Sequence, residues 1–135
     1  MLYRLLIVSE MVGTTGRTPL SVASILGVAE YNNRRDRIGN VILFHDGEAA
    51  QMLEGARVDL DRLMARQAGD GRHLRQRVVA QRPIAHRTLA EPVRLNVLNA
   101  ETARRSLGGR RLSELAAVEL EALLSSDALR ASRAA

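Results

Sequence analysis

Residues 38–55, IGNVILFHDGEAAQMLEG, decide the fold because they hold two apolar runs joined by a two-residue turn sequence. Ile38 to His45 and Ala49 to Leu53 each have the length and composition of a strand. Asp46-Gly47 is typical of the tight turn that connects two antiparallel strands. The stretch therefore predicts a β-hairpin.

The chain begins with another short apolar run, Leu2 to Ser9, whose length favours a strand over a helix. Because alternate residues of a strand share a face, the odd-numbered residues, Ile7 among them, are expected on one face. The even-numbered Leu6 and Val8 are expected on the other face.

Two amphipathic segments predict helices before and after the hairpin. The first begins at Thr18-Pro19, an N-cap followed by proline at the first helical position, and is expected to end at Asn32-Asn33. The second covers residues 57–68. The predicted inward positions are Leu20, Ala23, Leu26 and Ala29 in the first helix, and Leu60, Leu63, Met64 and Gln67 in the second.

Two further strands are predicted at Val78-Val79 and from Val93 to Leu98. The order β-α-β-β-α-β-β predicts an α+β fold, a ferredoxin-like sandwich with two helices on one sheet face. A short helix after Asn99 and a longer helix through residues 112–124 are expected to cover the second face. We therefore divide the chain into residues 1–98 and a helical extension, residues 99–135.

Composition narrows the class of protein. The absence of Cys excludes disulfides, and the absence of Trp predicts an aliphatic core. The net charge is +5 and all the basic residues are Arg, but the strands offer only Tyr3 and Phe44 for base stacking, which argues against nucleic acid as a partner. No apolar run has the length of a membrane span, and the lack of Cys suits a reducing compartment, so a cytoplasmic protein is expected.

Three motifs, in this order, carry a resemblance to a known family. They are Asn32-Asn33, Gln51 with the Leu-Glu-Gly that follows it, and Asp70 with the Gly-Arg-His that follows it. From Leu2 to the C-terminal helices the chain resembles the BLUF domains, small flavin-binding sensors of blue light. The resemblance implies that FAD lies between the two sandwich helices. The cofactor-binding residues it implies are Asn32, Asn33, Gln51, Arg66 and Asp70.

The chemistry of the amides agrees with such a site. The edge of an isoalloxazine ring alternates hydrogen-bond acceptors and donors, and Asn and Gln side chains carry both. An Asn pair is also common at the end of a helix, and Gln51 is compatible with an ordinary polar position on a strand. From these residues alone, both interpretations stay open.

Several positions depart from the family's residues. BLUF proteins place a redox-active tyrosine where this chain has Ile7, which can donate neither an electron nor a proton. Gly39-Asn40, Ala49, Pro92 and Arg94 also differ, and Arg94 is expected to bring a charge near the flavin ring. The departures predict a degenerate sensor that is not photoactive by the usual Tyr–Gln switch.

Two hypotheses of different classes follow. The first is a BLUF-like domain that binds FAD but lacks the usual photocycle. The alternative is a cofactor-free module for protein–protein interaction on the same scaffold. Both predict a protein partner and allow a homo-oligomer, and residues 112–124 are interpreted as cover for the sheet rather than as an interface.

An enzyme is not predicted. Ser9 and Ser21 have no His–carboxylate arrangement that would activate them as nucleophiles. The spacing of His45, His73 and His86 fits no compact metal site.

Overall fold

The computed structural model describes residues 1–131, so the last four residues of the predicted extension lie outside the described part. Eleven elements follow one another in this part of the chain: β1 Leu2–Met11, α1 Pro19–Asp36, β2 Gly39–His45, β3 Glu48–Ala56, α2 Arg57–Ala68, β4 His73–Ile84, β5 Arg94–Asn96, α3 Ala100–Leu107, a 3-10 turn Leu112–Glu114, α4 Ala117–Ser125 and a 3-10 turn Asp127–Leu129. Among the helices of residues 1–131, none has the length and apolarity needed to cross a membrane.

The strands form one five-stranded sheet in the order β4-β1-β3-β2-β5. Strand β1 is antiparallel to both β3 and β4, and β2 is antiparallel to β3. Strand β5 pairs with β2 in parallel. The predicted α+β, ferredoxin-like fold is confirmed.

The β2–β3 hairpin forms as the Asp-Gly sequence predicts. His45 pairs with Glu48, so the connection has two residues. Asp46 and Gly47 both have positive φ, at 50° and 75°, as the favoured two-residue hairpin turn requires. The hairpin places Gln51 in the middle of the sheet, on β3.

Helix α1 is longer than predicted, because it continues through Asn32-Asn33 to Asp36. Its end is set by Arg37, whose backbone is left-handed with φ 56°. The N–H of Ile38 then donates to the carbonyl of Asn33 at 2.9 Å, which satisfies one of the last helical carbonyls. The predicted end at the Asn pair is wrong, and both Asn side chains project from helical backbone.

The predicted buried stripe of α1 is also wrong. Leu20 is 83% exposed, and Ala23 is exposed as well. The buried apolar residue is Ile25, with Leu26 and Ala29 half-buried beside it. Helix α1 carries apolar side chains around most of its circumference, so its inward face depends on tertiary contacts.

Helices α1 and α2 cover one face of the sheet, with an apolar cluster under each. The cluster under α2 contains Leu5, Ile7, Ile38, Leu53, Leu60 and Leu63. The cluster near α1 contains Met11, Ile25, Ile42 and Ala49. The candidate site lies where these two clusters meet.

The C-terminal leucines cover the second face, as predicted. Leu107, Leu112, Leu115, Leu120, Leu123 and Leu124 pack on side chains of the strands, including Leu6, Val8 and Val41.

The single long helix that we predicted through residues 112–124 is wrong, because two separate helical starts occur there. Glu114 accepts the N–H of Arg111 at 2.8 Å, and Glu119 accepts the N–H of Ala116 at 3.1 Å. Each glutamate thus caps the N-terminus of the helical segment in which it lies. The division of the chain at residue 98 stays a prediction.

The segment between β4 and β5 is tied down by a buried carboxylate. Glu54 is fully buried and accepts hydrogen bonds from the backbone N–H groups of Thr88 and Leu89, at 2.7 and 2.9 Å. Arg4 donates to Glu54 and also to Glu121 of α4, each at 2.6 Å. This network fixes the segment against the sheet.

Candidate functional site

A cleft of about 170 Å³ lies between α1 and α2 on the helical face of the sheet. Its apolar wall comes from both helices: Ile25, Val28, Ala29 and Leu63. A larger depression of about 380 Å³ lies beside it, at the end of α1. That depression contains Asn33 but none of the other predicted site residues, so the smaller cleft is the candidate site.

The cleft brings together most of the residues predicted from the sequence. Asn32, Asn33, Arg66 and Asp70 all line it. Gln51 does not line the cleft itself. It lies behind Gln67, a residue of α2 that does.

Gln51 is held in the centre of the sheet between two aliphatic neighbours. Its side chain is 1% exposed, and its Cα partners on the adjacent strands are Ile7 and Ile42. Its Nε2 donates to Oε1 of Gln67 at 3.3 Å, and Nε2 of Gln67 donates back to Oε1 of Gln51 at 3.2 Å. The two amides thus form a reciprocal pair.

Three asparagines, two on α1 and one on β2, supply amide groups to the cleft. Asn33 is buried, and its Nδ2 donates to the carbonyl of Pro92 at 2.8 Å, while Asn32 is half-buried. Asn40 of β2 is 2% exposed, and its Oδ1 has no hydrogen-bond partner within residues 1–131. A buried unpaired amide oxygen is costly, so this atom calls for a donor that the described chain does not supply.

Arg66 is oriented by a carboxylate from the end of α1. Its Nη1 lies 3.2 Å from Oδ2 of Asp36, which is buried and also bonds to Arg35 and Arg62. The hydrogen bond from Arg35, together with the charges of Arg35 and Arg66, holds the pKa of Asp36 below its ordinary value. Asp36 therefore stays ionised and keeps the two helices connected at this end of the cleft.

Asp70 and Arg72 form the opposite end of the cleft. Asp70 accepts from the backbone N–H, Nε and Nη2 of Arg72, and these bonds lower the pKa of Asp70. The ring Nδ1 of His73 lies 3.1 Å from Oγ of the buried Ser9, and burial lowers the pKa of His73. At neutral pH this end carries an ion pair beside a neutral imidazole.

The expectation that Arg94 brings a charge near the flavin ring is wrong. Arg94 is paired in register with Val41, whose side chain packs with the C-terminal leucines on the second face. Its guanidinium bonds to Asp127 and to the carbonyl of Leu124. Arg94 therefore lies on the opposite side of the sheet from the cleft.

Two residues of this site, Gln67 and Asn40, are not among the cofactor-binding residues predicted from the sequence. Gln67 is predicted on the inward face of α2, and a polar residue at an inward position is a signal for a buried partner. Asn40 differs from the residue that the family has at this position. Its importance depends on the orphaned Oδ1, which no sequence pattern reveals.

A family model described as "BLUF: Sensors of blue-light using FAD" matches residues 2–92. The chain belongs to the BLUF family. BLUF domains are sensors of blue light that use FAD. A search of curated proteins with this sequence gave no match.

Solved BLUF structures share the fold over nearly the whole chain. BlsA in its photo-activated state is 22% identical, with a TM-score of 0.80 and 92% of each chain covered. The dark-state structure of BlrB, a BLUF protein, is 22% identical, with a TM-score of 0.74 and 91% of each chain covered. At this identity the likeness concerns the fold alone.

One similar structure is part of a larger protein. A bacterial light-regulated adenylyl cyclase is 27% identical, with a TM-score of 0.70 over 78% of this chain. The match spans 31% of the cyclase chain, so the present chain is similar to about a third of that protein.

The amide side chains of the cleft suit the edge of a flavin ring, whereas the volume of the cleft is small for the ring. Asn32, Asn40 and Gln67 present amides at the cleft, and the unpaired Oδ1 of Asn40 is suited to accept from a ring N–H. The cleft's 170 Å³ is below the roughly 300 Å³ at the lower end of ligand pockets. Entry of a ring therefore requires a side chain in the cleft to move.

Proposed function

We propose that this chain is a BLUF domain that binds FAD between α1 and α2 and does not respond to blue light by a tyrosine-dependent switch. The observation that carries the proposal is the pairing of Ile7 with Gln51, both fully buried. By the family resemblance, position 7 corresponds to the redox-active tyrosine, and its side chain in this chain has no phenol.

Neither of the two tyrosines in the chain can replace the missing one. Tyr3 pairs in register with Gly55 at the far end of β1, and Arg57 stacks over its ring at 5.4 Å. Tyr31 is 72% exposed on the outer side of α1. Both phenols are therefore remote from Gln51.

Bound FAD would supply absorption of blue light and, once excited, an electron acceptor. The proposed roles of the chain's own residues are to orient and enclose it. Asn32, Asn33 and Gln51 are proposed to read the ring edge, with Asn40 as an added acceptor. Arg66 and Asp70 are proposed to hold the ribityl-phosphate chain, since they lie on and just after α2 at the cleft. Ile7 would not reduce the excited ring, because its side chain has no redox-active group.

The alternative is a cofactor-free interaction module, and one observation favours it. The outer side of α1 leaves Leu20 and Tyr31 exposed at 83% and 72%. Such side chains are typical of a surface that contacts another protein or a second copy of the chain. In either case we propose a cytoplasmic protein that acts through a protein partner or as a homo-oligomer.

Substitutions at two neighbouring residues of α1, Asn32 and Tyr31, distinguish the two proposed functions. The apo protein is titrated with FAD, and the dissociation constant is measured from flavin fluorescence. We expect Asn32→Leu to weaken FAD binding about tenfold or more, because the variant loses a ring-edge amide at a cost of about 1.4 kcal/mol or more. Tyr31→Ala, on the outer side of the same helix, should leave the dissociation constant unchanged.

Failure of the parent protein to take up FAD contradicts the proposal. In that case the alternative predicts that Tyr31→Ala changes the oligomeric state or partner binding, measured by light scattering. FAD uptake that is unaffected by Asn32→Leu would place the cofactor away from the cleft.

A further inference from the structure

The reciprocal pair of Gln51 and Gln67 joins the sheet to α2 across the base of the cleft. Each amide donates one hydrogen bond to the other and accepts one, at 3.2 and 3.3 Å. Within residues 1–131, both hydrogen bonds recorded for the side chain of Gln51 go to Gln67. The neighbours in register, Ile7 and Ile42, have no polar side-chain atoms to offer.

Gln67 also lies between Gln51 and the space where a ligand would enter. Gln67 lines the cleft, whereas Gln51 is 1% exposed and does not. A flavin ring that hydrogen-bonds to Gln51 must therefore displace the amide of Gln67. The small volume of the cleft has the same consequence, because the side chain of Gln67 is one of the groups that fill it.

We propose that Gln67 is a positioning residue that competes with the flavin ring for the amide of Gln51 and thereby lowers the affinity for FAD. This inference rests on the proposed FAD site. When a binding-competent state is only partly populated, the apparent dissociation constant rises by the inverse of that fraction. The closed Gln51–Gln67 pair is the incompetent state, and its two partly buried hydrogen bonds favour it in the free protein.

The test removes the hydrogen bonds while keeping the side-chain volume. Gln67→Leu cannot pair with Gln51, and Gln67→Ala is a second variant that also enlarges the cleft. Gln81→Ala on β4 is the matched control, because Gln81 is exposed and contacts Arg57 rather than the cleft. Folding of each variant is checked by circular dichroism.

Two readouts are measured, one of them without any ligand. We expect Gln67→Leu to bind FAD about tenfold more tightly than the parent protein, since the loss of about 1.4 kcal/mol of competing interaction corresponds to that factor. In the apo protein, hydrogen exchange of the side-chain amide of Gln51, followed by NMR, should be faster in Gln67→Leu. Gln81→Ala should change neither quantity.

The outcomes separate this inference from the function on which it rests. If the parent binds FAD and both Gln67 variants bind it no more tightly, the competition is refuted and the FAD site stands. If the Gln51 amide exchanges as fast in the parent as in Gln67→Leu, the pair does not form in solution and the inference falls. If the parent and both variants fail to bind FAD at about 1 mM, the proposed FAD site and the competition are both refuted.

Discussion

Ile7 of β1 and Gln51 of β3 stand directly opposite each other in an antiparallel pair, at 0% and 1% exposure. Opposed residues of this kind have Cβ atoms about 5 Å apart, so their side chains are in contact. The residue that contacts Gln51 here has no phenol, and the amide bonds to Gln67 instead. The amide of Gln51 therefore contacts an aliphatic side chain on β1 and hydrogen-bonds to a side chain of α2.

Restoring the phenol alone should not restore a light response. In Ile7→Tyr we expect no reversible red shift of the flavin bands when the FAD-loaded protein is illuminated, because Gln51 remains paired with Gln67. The apo variant should lose about 1–3 kcal/mol of stability, since the new hydroxyl is buried without a partner.

Urea unfolding and difference absorption spectra check these two expectations. Ile7→Val is the control, with an expected cost of about 1 kcal/mol. A reversible red shift in Ile7→Tyr would show that position 7 is the single lesion.

The buried carboxylate of Glu54 should contribute strongly to stability. Glu54→Gln removes the charge that Arg4 faces, and it replaces by an amide NH2 one of the two oxygens that accept from Arg4, Thr88 and Leu89. We expect a loss of about 3 kcal/mol in urea unfolding, in the range for breaking a buried ion pair. The exposed Glu101→Gln should change the unfolding free energy by less than about 0.5 kcal/mol. Equal effects of the two substitutions would contradict the network.

The same carboxylate predicts a pH dependence. Burial alone would raise the pKa of Glu54, but the hydrogen bonds from Thr88, Arg4 and Leu89 outweigh burial and lower it from its ordinary value of 4.5. A group with a lowered pKa in the folded state stabilises the fold above its unfolded pKa. The unfolding free energy of the parent should therefore fall as the pH drops from about 5 to about 3, and that of Glu54→Gln should fall less steeply. Parallel curves would count against this account.

Two glycines should respond with opposite signs to the same substitution. A Cβ on Gly39 would lie 2.6 Å from the carbonyl oxygen of Leu89, so Gly39→Ala must displace the segment that carries Pro92. We expect a loss of about 1–3 kcal/mol, as for an overpacked site. Gly27 lies within α1 with open space around its Cβ position, so Gly27→Ala should stabilise by about 1 kcal/mol. Thermal unfolding distinguishes the signs, and a neutral Gly39→Ala would mean that the segment is not held against β2.

The end of α1 offers a similar test of backbone conformation. Arg37 has a φ of 56°, a conformation that favours glycine, so Arg37→Gly should stabilise by about 0.5–1 kcal/mol. Arg34, one turn earlier, has helical backbone, and Arg34→Gly should destabilise by about 1 kcal/mol. If the helix ended at the Asn pair, as the sequence alone predicted, Arg34→Gly would have little effect on thermal unfolding.

Local sequence patterns, apolar runs and a turn sequence, were sufficient to predict the strands of the sheet. The short apolar run of β1 and the Asp46-Gly47 turn specify a strand and a hairpin locally, so these elements could be predicted from the sequence. The face of α1 could not be predicted in the same way, because apolar residues surround this helix. Ile25 is buried, rather than Leu20, because of contacts that only the complete fold supplies.

The family resemblance was sufficient to predict most residues of the site, but local sequence patterns did not predict all of their contacts. The motifs led to Asn32, Asn33, Arg66 and Asp70, which the fold brings to one cleft. The side of the sheet on which Arg94 lies depends on the register of a three-residue strand, which the sequence does not define. The partner of Gln51 depends on the distance between β3 and α2, which no local pattern encodes.

The most direct test of the central claim is the light response of the parent protein with FAD bound. Its flavin spectrum is recorded in the dark, under blue light and after return to the dark, once co-elution of FAD with the protein has been verified. We predict no reversible red shift of the flavin bands, because Ile7 gives the excited ring no electron and no proton. A red shift that appears under illumination and decays in the dark would contradict the account and require another donor in the cleft.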